Sequence, residues 1–190
     1  MTGMPGIQEI EVRFLEIDPE DLKKKLKKLG AEDLGEDYFK EILFYHTDPI
    51  LNDNRRRFVR IRQTKHGAIL TFKHRNEHHG ISTKEIEFGI NNAEKAQLFL
   101  EETGWAVSRF VEKKRHSFKL NGVEIDIDLF PKAPYFVELE GNSEEDLRKM
   151  AKALELDWKN VEFRDGKAFL TEVYGIPIDS LKYFTFDRIE

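Results

Sequence analysis

Cysteine is absent from all 190 residues. Its absence excludes disulfides, thiolate zinc sites and cysteine nucleophiles, and fits a reducing compartment. Long apolar runs are missing as well: no stretch approaches the roughly 18 residues of a membrane helix. The opening Met1-Thr2-Gly3-Met4-Pro5 carries neither the basic nor the apolar region of a secretory signal. The expectation is a soluble, cytoplasmic protein with no membrane partner. An excess of positive charge is also lacking. With 31 basic against 36 acidic residues and a net charge of -5, a nucleic-acid partner is not expected. No linker, repeat or low-complexity run divides the chain, so a single domain over 1–190 is expected.

What the chain does have is charge and phenylalanine. Charged residues make up 35% of it, against roughly 25% in an average globular chain. Its 15 phenylalanines place it among folding rather than disordered sequences. The charge must therefore sit on or inside a folded structure.

Helix signals occur four times. Asp18 and Pro19 open a segment with Leu22, Leu26 and Leu29 on one face and Gly30 at its end. Asn92 begins a second that stops at Gly104, and Ser143 with Asp146 caps a third through Leu154. A short fourth is expected from Lys167 to Tyr174, ending at Gly175. Elsewhere the pattern alternates with period two. Strands are expected over about 7–16, 38–47, 56–65, 68–75, 82–90, 109–120, 122–130 and 134–141. Asn121-Gly122 and His66-Gly67 are turn signals between them. The fold class expected is α+β, with eight antiparallel strands closing into a barrel and the helices packed outside.

Sorting the strands by face exposes a second pattern. Glu9/Glu11, Glu85/Glu87, Asp126/Asp128 and Glu138/Glu140 are acidic pairs at i, i+2, and Arg60/Arg62 and Lys113/Arg115 are basic ones. Such pairs point to one side, about 6.5–7 Å apart along the strand. A half-buried sheet with one solvated face accounts for any single strand. Across the whole set, however, the polar faces carry almost only ionisable residues, segregated by sign. Two carboxylates that close repel unless a cation lies between them, as a hard divalent cation would. Paired Arg and Lys suit phosphate oxygens. If the apolar faces pack outward against helices, the charges line an interior fit for a highly charged ligand with its metal.

Glu9-Ile10-Glu11-Val12-Arg13 resembles the ExExK signature of the CYTH domain, or triphosphate tunnel metalloenzyme, family. Val59-Arg60-Ile61-Arg62, Leu70-Thr71-Phe72-Lys73, Glu85-Ile86-Glu87, Lys113-Lys114-Arg115, Asp126-Ile127-Asp128 and Glu138-Leu139-Glu140 are similar to its later strands, in the family's order. The resemblance implies binding of a triphosphate compound (tripolyphosphate, ATP or thiamine triphosphate) in an eight-stranded tunnel with Mg²⁺ or Mn²⁺. It implies a triphosphatase, a class IV adenylate cyclase, or a non-catalytic polyphosphate or nucleotide binder, as monomer or homodimer. Carried over by position, Glu9, Glu11, Glu87, Asp126, Asp128, Glu138 and Glu140 form the metal set. Arg13, Arg60, Arg62, Lys73, Lys113 and Arg115 form the phosphate set, and Glu9, Glu11, Arg13, Glu85 and Asp128 the catalytic one. Three positions depart from the family. Arg13 replaces a lysine and cannot readily lose a proton. Phe44 stands where some triphosphatases have a tyrosine, and Ala168-Phe169 where Ser-Tyr is frequent.

Other residues have plainer expectations. His74, His78 and His79 belong to a solvated loop, and Lys23, Lys24, Lys25, Lys27 and Lys28 to a solvated helix face. Trp105 and Trp158 are expected to pack. Arg55-Arg56-Arg57 forms a surface basic run able to steer phosphate, and the aromatic tail with Tyr183, Phe184 and Phe186 is expected to cover core or an oligomer contact.

Overall fold

The computed structural model describes residues 10–75, 83–164 and 166–190. Glu9, His78 and His79 lie outside the described residues. Fifteen elements follow one another: β1 (Ile10–Phe14), α1 (Pro19–Lys28), β2 (Glu32–His46), α2 (Pro49–Asn52), β3 (Arg57–Thr64), β4 (Gly67–Arg75), β5 (Thr83–Ile90), α3 (Ala93–Glu102), β6 (Trp105–Leu120), β7 (Val123–Leu129), β8 (Phe136–Gly141), α4 (Glu144–Ala153), a 3₁₀ turn (Trp158–Asn160), α5 (Gly166–Glu172) and β9 (Tyr183–Phe184). The strands form one sheet in the order β1-β8-β7-β6-β2-β3-β4-β5, antiparallel throughout except that β9 lies parallel to β6. The eight expected strands are all present. Among the described residues no ladder joins β1 to β5, so the sheet has two ends.

The helices start where side chains can satisfy their first backbone N–H groups. Asp18 accepts from Glu20 and Asp21, Asn92 from Lys95, and Ser143 from Asp146. At the β6–β7 hairpin, Asn121 and Gly122 both take positive φ (50° and 79°), the conformation a tight two-residue turn demands.

Two strands are longer than expected. β2 begins at Glu32 and β6 at Trp105, and they pair with each other from Glu32–Lys119 to His46–Trp105. The extension of β2 over Glu32–Asp37 has little apolar alternation and is mostly exposed. It is held by its backbone ladder, which leaves no trace in a hydrophobic pattern.

The apolar faces carry the helices, as expected. Val12, Ile125, Ile127, Val137 and Leu139 pack against Leu22 and Leu26 of α1 and Leu147, Met150 and Leu154 of α4. Phe44, Val59 and Ile61 pack against Leu100 of α3, with Trp105 at the margin. Phe44, where some triphosphatases have a tyrosine, is fully buried in the α3 core, while Tyr45 lies on the charged side, its ring 6.1 Å from Phe58. Trp158 packs on Phe14, as expected of a packing tryptophan.

A third core seals one end of the opposite, inner face. Val111 of β6, Leu43 of β2, Phe136 of β8 and Leu15 beyond β1 meet Phe169 and Leu170 of α5 and Phe184 of β9. Phe169 is fully buried, its ring 4.9 Å from that of Phe136. The position that departs from the family's tyrosine is thus a wedge that closes the apolar end. The tail covers core, as one of its expected roles required.

Candidate functional site

Beyond this plug the inner face is a lattice of ion pairs, set by cross-strand register. Arg13 faces Glu138, which faces Asp126; Arg115 faces Asp128; Glu41 faces Arg62; Arg60 faces Thr71, which faces Glu87; Lys73 faces Glu85. Opposite residues in a sheet have Cβ atoms about 4.5–5.5 Å apart, so alternating signs across strands bring charges into contact.

The lattice has two halves with different balance. In the first, around β1, β8, β7 and β6, the cations are saturated. Arg13 gives Nε to Glu138 Oε1 (2.7 Å), Nη1 to the carbonyl of Arg164 (2.8 Å) and Nη2 to Glu11. Arg115 gives Nε to Asp128 Oδ1 (2.7 Å), Nη2 to Glu138 (2.5 Å) and Nη1 to Asp126. Lys113 Nζ lies 2.8 Å from Asp128 Oδ2, and Asp128 is wholly buried. Burial alone would lower the Arg115 pKa, but Asp128, Glu138 and Asp126 outweigh it and hold it well above its ordinary value. Burial would likewise raise Glu138, yet Arg13 and Arg115 keep it below the carboxylate range. Asp126 goes the other way: burial exceeds the help from Arg115 and raises it.

The second half, on β2, β3, β4 and β5, sets Arg60, Arg62 and Lys73 against Glu41, Glu85 and Glu87, but pairs them unevenly. Glu41 is its central carboxylate, 2.6 Å from Arg62 Nε and 3.6 Å from Arg60 Nη1. Burial would raise Glu41, but Arg60, Arg62 and Lys113 together pull it down to about 2. Each of those cations receives only a share of it. Arg60 is pushed down by burial, and so is Lys113, with Arg115 adding to the fall. Lys73, 2.7 Å from Glu85, is also lowered, by burial and then by Arg60. One carboxylate is strongly stabilised by three cations, and of these Arg60 is the least well paired. Arg60 shows this in its geometry. Its other ion contact, to Glu87, is 3.9 Å long, and its buried Nε has no hydrogen-bond partner. An unmade bond at a buried guanidinium is costly, and an anion would relieve it.

The phenyl ring of Phe39 lies beneath this half, 4.6 Å from Arg62 Cζ, 5.5 Å from Lys113 Nζ and 5.8 Å from Arg115 Cζ. It partly stabilises cations that compete for one carboxylate. Sequence reasoning missed Phe39 and Glu41 because Glu41 sits between Phe39 and Leu43 on one side of β2, with no i, i+2 charged partner. Its place opposite Arg62 was the available signal. It also missed Thr71, whose Oγ1 donates to Glu87 (2.8 Å), and Ser117, which donates to Asp126 (2.6 Å).

Of the acidic pairs, Glu11 faces Glu140, which faces Glu124: three carboxylates in one rung. Like charges so placed destabilise a sheet, and hard oxygen donors suit a divalent cation. The donor chemistry fits a metal ion, although among the described residues no three such groups already converge on one point. A cavity of about 610 Å³ along β2 and β6 takes only Arg115 from the lattice, so the charges converge elsewhere. His74 pairs with Asp53 at 3.0 Å, and the other two histidines of the run lie outside the described residues.

The sheet is antiparallel, with α1, α3 and α4 on one face and paired acids and bases on the other, an α+β arrangement. The chain belongs to the CYTH domain family, whose model matches residues 8–164. Among solved structures it is similar to the PH1012 protein of Pyrococcus horikoshii OT3, with 25% identity, a TM-score of 0.69, and coverage of 83% of this chain and 96% of that one. It is similar to a conserved hypothetical protein of Pyrococcus furiosus, at 27% identity and a TM-score of 0.68, over 83% and 97% of the two chains. HpAC1 from Hippeastrum, described as having a dominant triphosphatase activity, shares the fold at 16% identity and a TM-score of 0.59, over 88% and 95%. No curated protein matches the sequence.

Proposed function

We propose that the protein binds a triphosphate compound on the charged inner face and hydrolyses it. Arg60, buried with an unpartnered Nε and only long ion contacts, carries this reading. Arg60, Arg62, Lys73 and Lys113 take the phosphate oxygens. Arg13 and Arg115, whose guanidinium nitrogens all serve protein oxygens, hold the acidic residues in place. In this reading the two ends of the sheet, β1 and β5, would approach to close a tunnel, with Glu11 toward Glu85 and Glu87.

Glu11, Glu138 and Glu140, with Glu9, would hold Mg²⁺ or Mn²⁺, in keeping with the metal dependence of the family. When bound, the metal supplies positive charge to the phosphoryl oxygens. Glu87, fixed by the Thr71 hydroxyl and half-exposed, orients the attacking water. The water oxygen bonds to the terminal phosphorus in line, and the phosphoanhydride P–O bond breaks. The leaving diphosphate moiety takes the electron pair, and the water proton passes to the carboxylate or solvent.

The test is phosphate release from tripolyphosphate, ATP and thiamine triphosphate with Mg²⁺ or Mn²⁺. Turnover of at least one is expected, and the Glu9→Ala/Glu11→Ala double variant should lose it. Release no faster than that of the double variant for every compound refutes hydrolysis. With ATP, products of cyclic AMP and pyrophosphate would assign the site to cyclisation instead.

A further inference from the structure

Beyond the apolar plug lies a second group of cations that the central site does not use. Arg109 is on the inner face of β6, opposite Leu43 and four residues before Lys113. Four residues of strand span about 13 Å. Val111 lies between Arg109 and Lys113 along β6, and Leu43 lies between Arg109 and Arg60 across β2, so apolar side chains stand between the two cationic groups.

Arg109 is only 3% exposed. Its Nη2 lies 3.1 Å from Asp179 Oδ1, and its buried Nε has no hydrogen-bond partner. Lys167 Nζ reaches the other oxygen of Asp179 at 2.8 Å, and Arg55 Nη1 stands 3.7 Å from Oδ1. Three cations thus share one half-exposed carboxylate. Arg55 is held there by its own surroundings: its guanidinium lies 5.0 Å over the Tyr45 ring. It also ends a run of three left-handed residues, Asp53, Asn54 and Arg55. Asp53 pins that turn by binding Arg56 (2.6 Å) and His74 (3.0 Å). Of the three arginines in the basic run, Arg55 is the one directed at Asp179.

We propose that the plugged end carries a second oxyanion site, built from Arg109, Lys167 and Arg55 around Asp179, that takes free inorganic phosphate. A tetrahedral oxyanion satisfies the Arg109 Nε that Asp179 leaves unmet, and its charge offsets the surplus of two cations. Lys167 and Asp179 lie beyond the span that matches the family model, so the site is built in part from this chain's own C-terminal segment. It does not depend on hydrolysis at the central site.

The experiment titrates the full chain with inorganic phosphate by calorimetry, in the Arg60→Ala background, which weakens the central site. Phosphate binding is expected to persist there. Adding Lys167→Met or Arg55→Met, both partly exposed, should weaken it at least tenfold with an unchanged circular dichroism spectrum. Asp179→Asn removes the competing carboxylate and should tighten phosphate binding by about three- to tenfold, as loss of one close like charge implies. That gain cannot come from misfolding. Loss of all phosphate binding in Arg60→Ala, or an unchanged or weaker affinity in Asp179→Asn, overturns the proposal. In the latter case Asp179 is a structural hub of ion pairs and nothing more.

Discussion

Arg60→Ala is expected to weaken tripolyphosphate binding about a hundredfold while barely changing the stability of the free protein. The two effects separate because Arg60 makes no close bond within the protein. Its contacts to Glu41 and Glu87 are 3.6 and 3.9 Å, and its Nε is unpartnered. Removing it leaves Glu41 bound to Arg62 at 2.6 Å. Hydrogen bonds to charged groups contribute about 1.5–3 kcal/mol each, and a hundredfold corresponds to about 2.7 kcal/mol. Calorimetric titration with tripolyphosphate and urea unfolding measure the two quantities. Arg13→Lys is the contrast: it removes bonds to Glu138 and the Arg164 carbonyl, so its loss should fall mainly on stability. An Arg60→Ala protein that binds tripolyphosphate as tightly as the parent removes the central site from the reading above.

Glu41→Gln is expected to destabilise the fold by about 3–5 kcal/mol, the usual cost of stripping one partner from a buried charge cluster. The amide still accepts from Arg62, but Arg60, Arg62 and Lys113 lose their common countercharge. The same residue fixes a pH dependence. Its folded pKa, about 2, lies below its ordinary 4.5. A depressed carboxyl contributes stability that is fully present above the unfolded pKa and lost as pH falls through the folded one. The contribution should therefore fade between about pH 4.5 and pH 2, and amount to about 3 kcal/mol at neutral pH. Urea unfolding of the parent and Glu41→Gln proteins across that range checks it: the gap between them should narrow as pH falls. A gap that stays constant means that Glu41 does not titrate in this way.

How far the molecule was legible in its sequence depends on what each feature leaves in the residue pattern. Capped helices with an apolar stripe were visible, as in α1, where Asp18, Leu22 and Leu26 do what their spacing implies. The alternating strands were visible too, and with them the acidic and basic faces. Glu41 was not, because a single charge between Phe39 and Leu43 carries no periodicity. Nor was the orientation of Phe44, which the alternation on β2 sends into the α3 core. The extension of β2 rests on backbone bonds to β6 and on polar contacts such as Asp33 with His116, neither of which shows in an apolar pattern. The roles of paired charges were the least legible. Arg115 and Arg60 read alike in sequence, yet one is saturated with carboxylates and the other is not. That difference arises from register between distant strands.

The sharing of one carboxylate among three cations has a consequence for the life of the protein outside any reaction. If the protein takes the polyanion proposed above, the bound anion removes a repulsion that the free protein holds. Ligand then acts as a folding partner, adding about 2.7 kcal/mol at a hundred times the dissociation constant. The population of intact molecules, and their resistance to proteolysis, would rise and fall with the supply of the polyanion. Abundance itself would then report on the compound the protein binds.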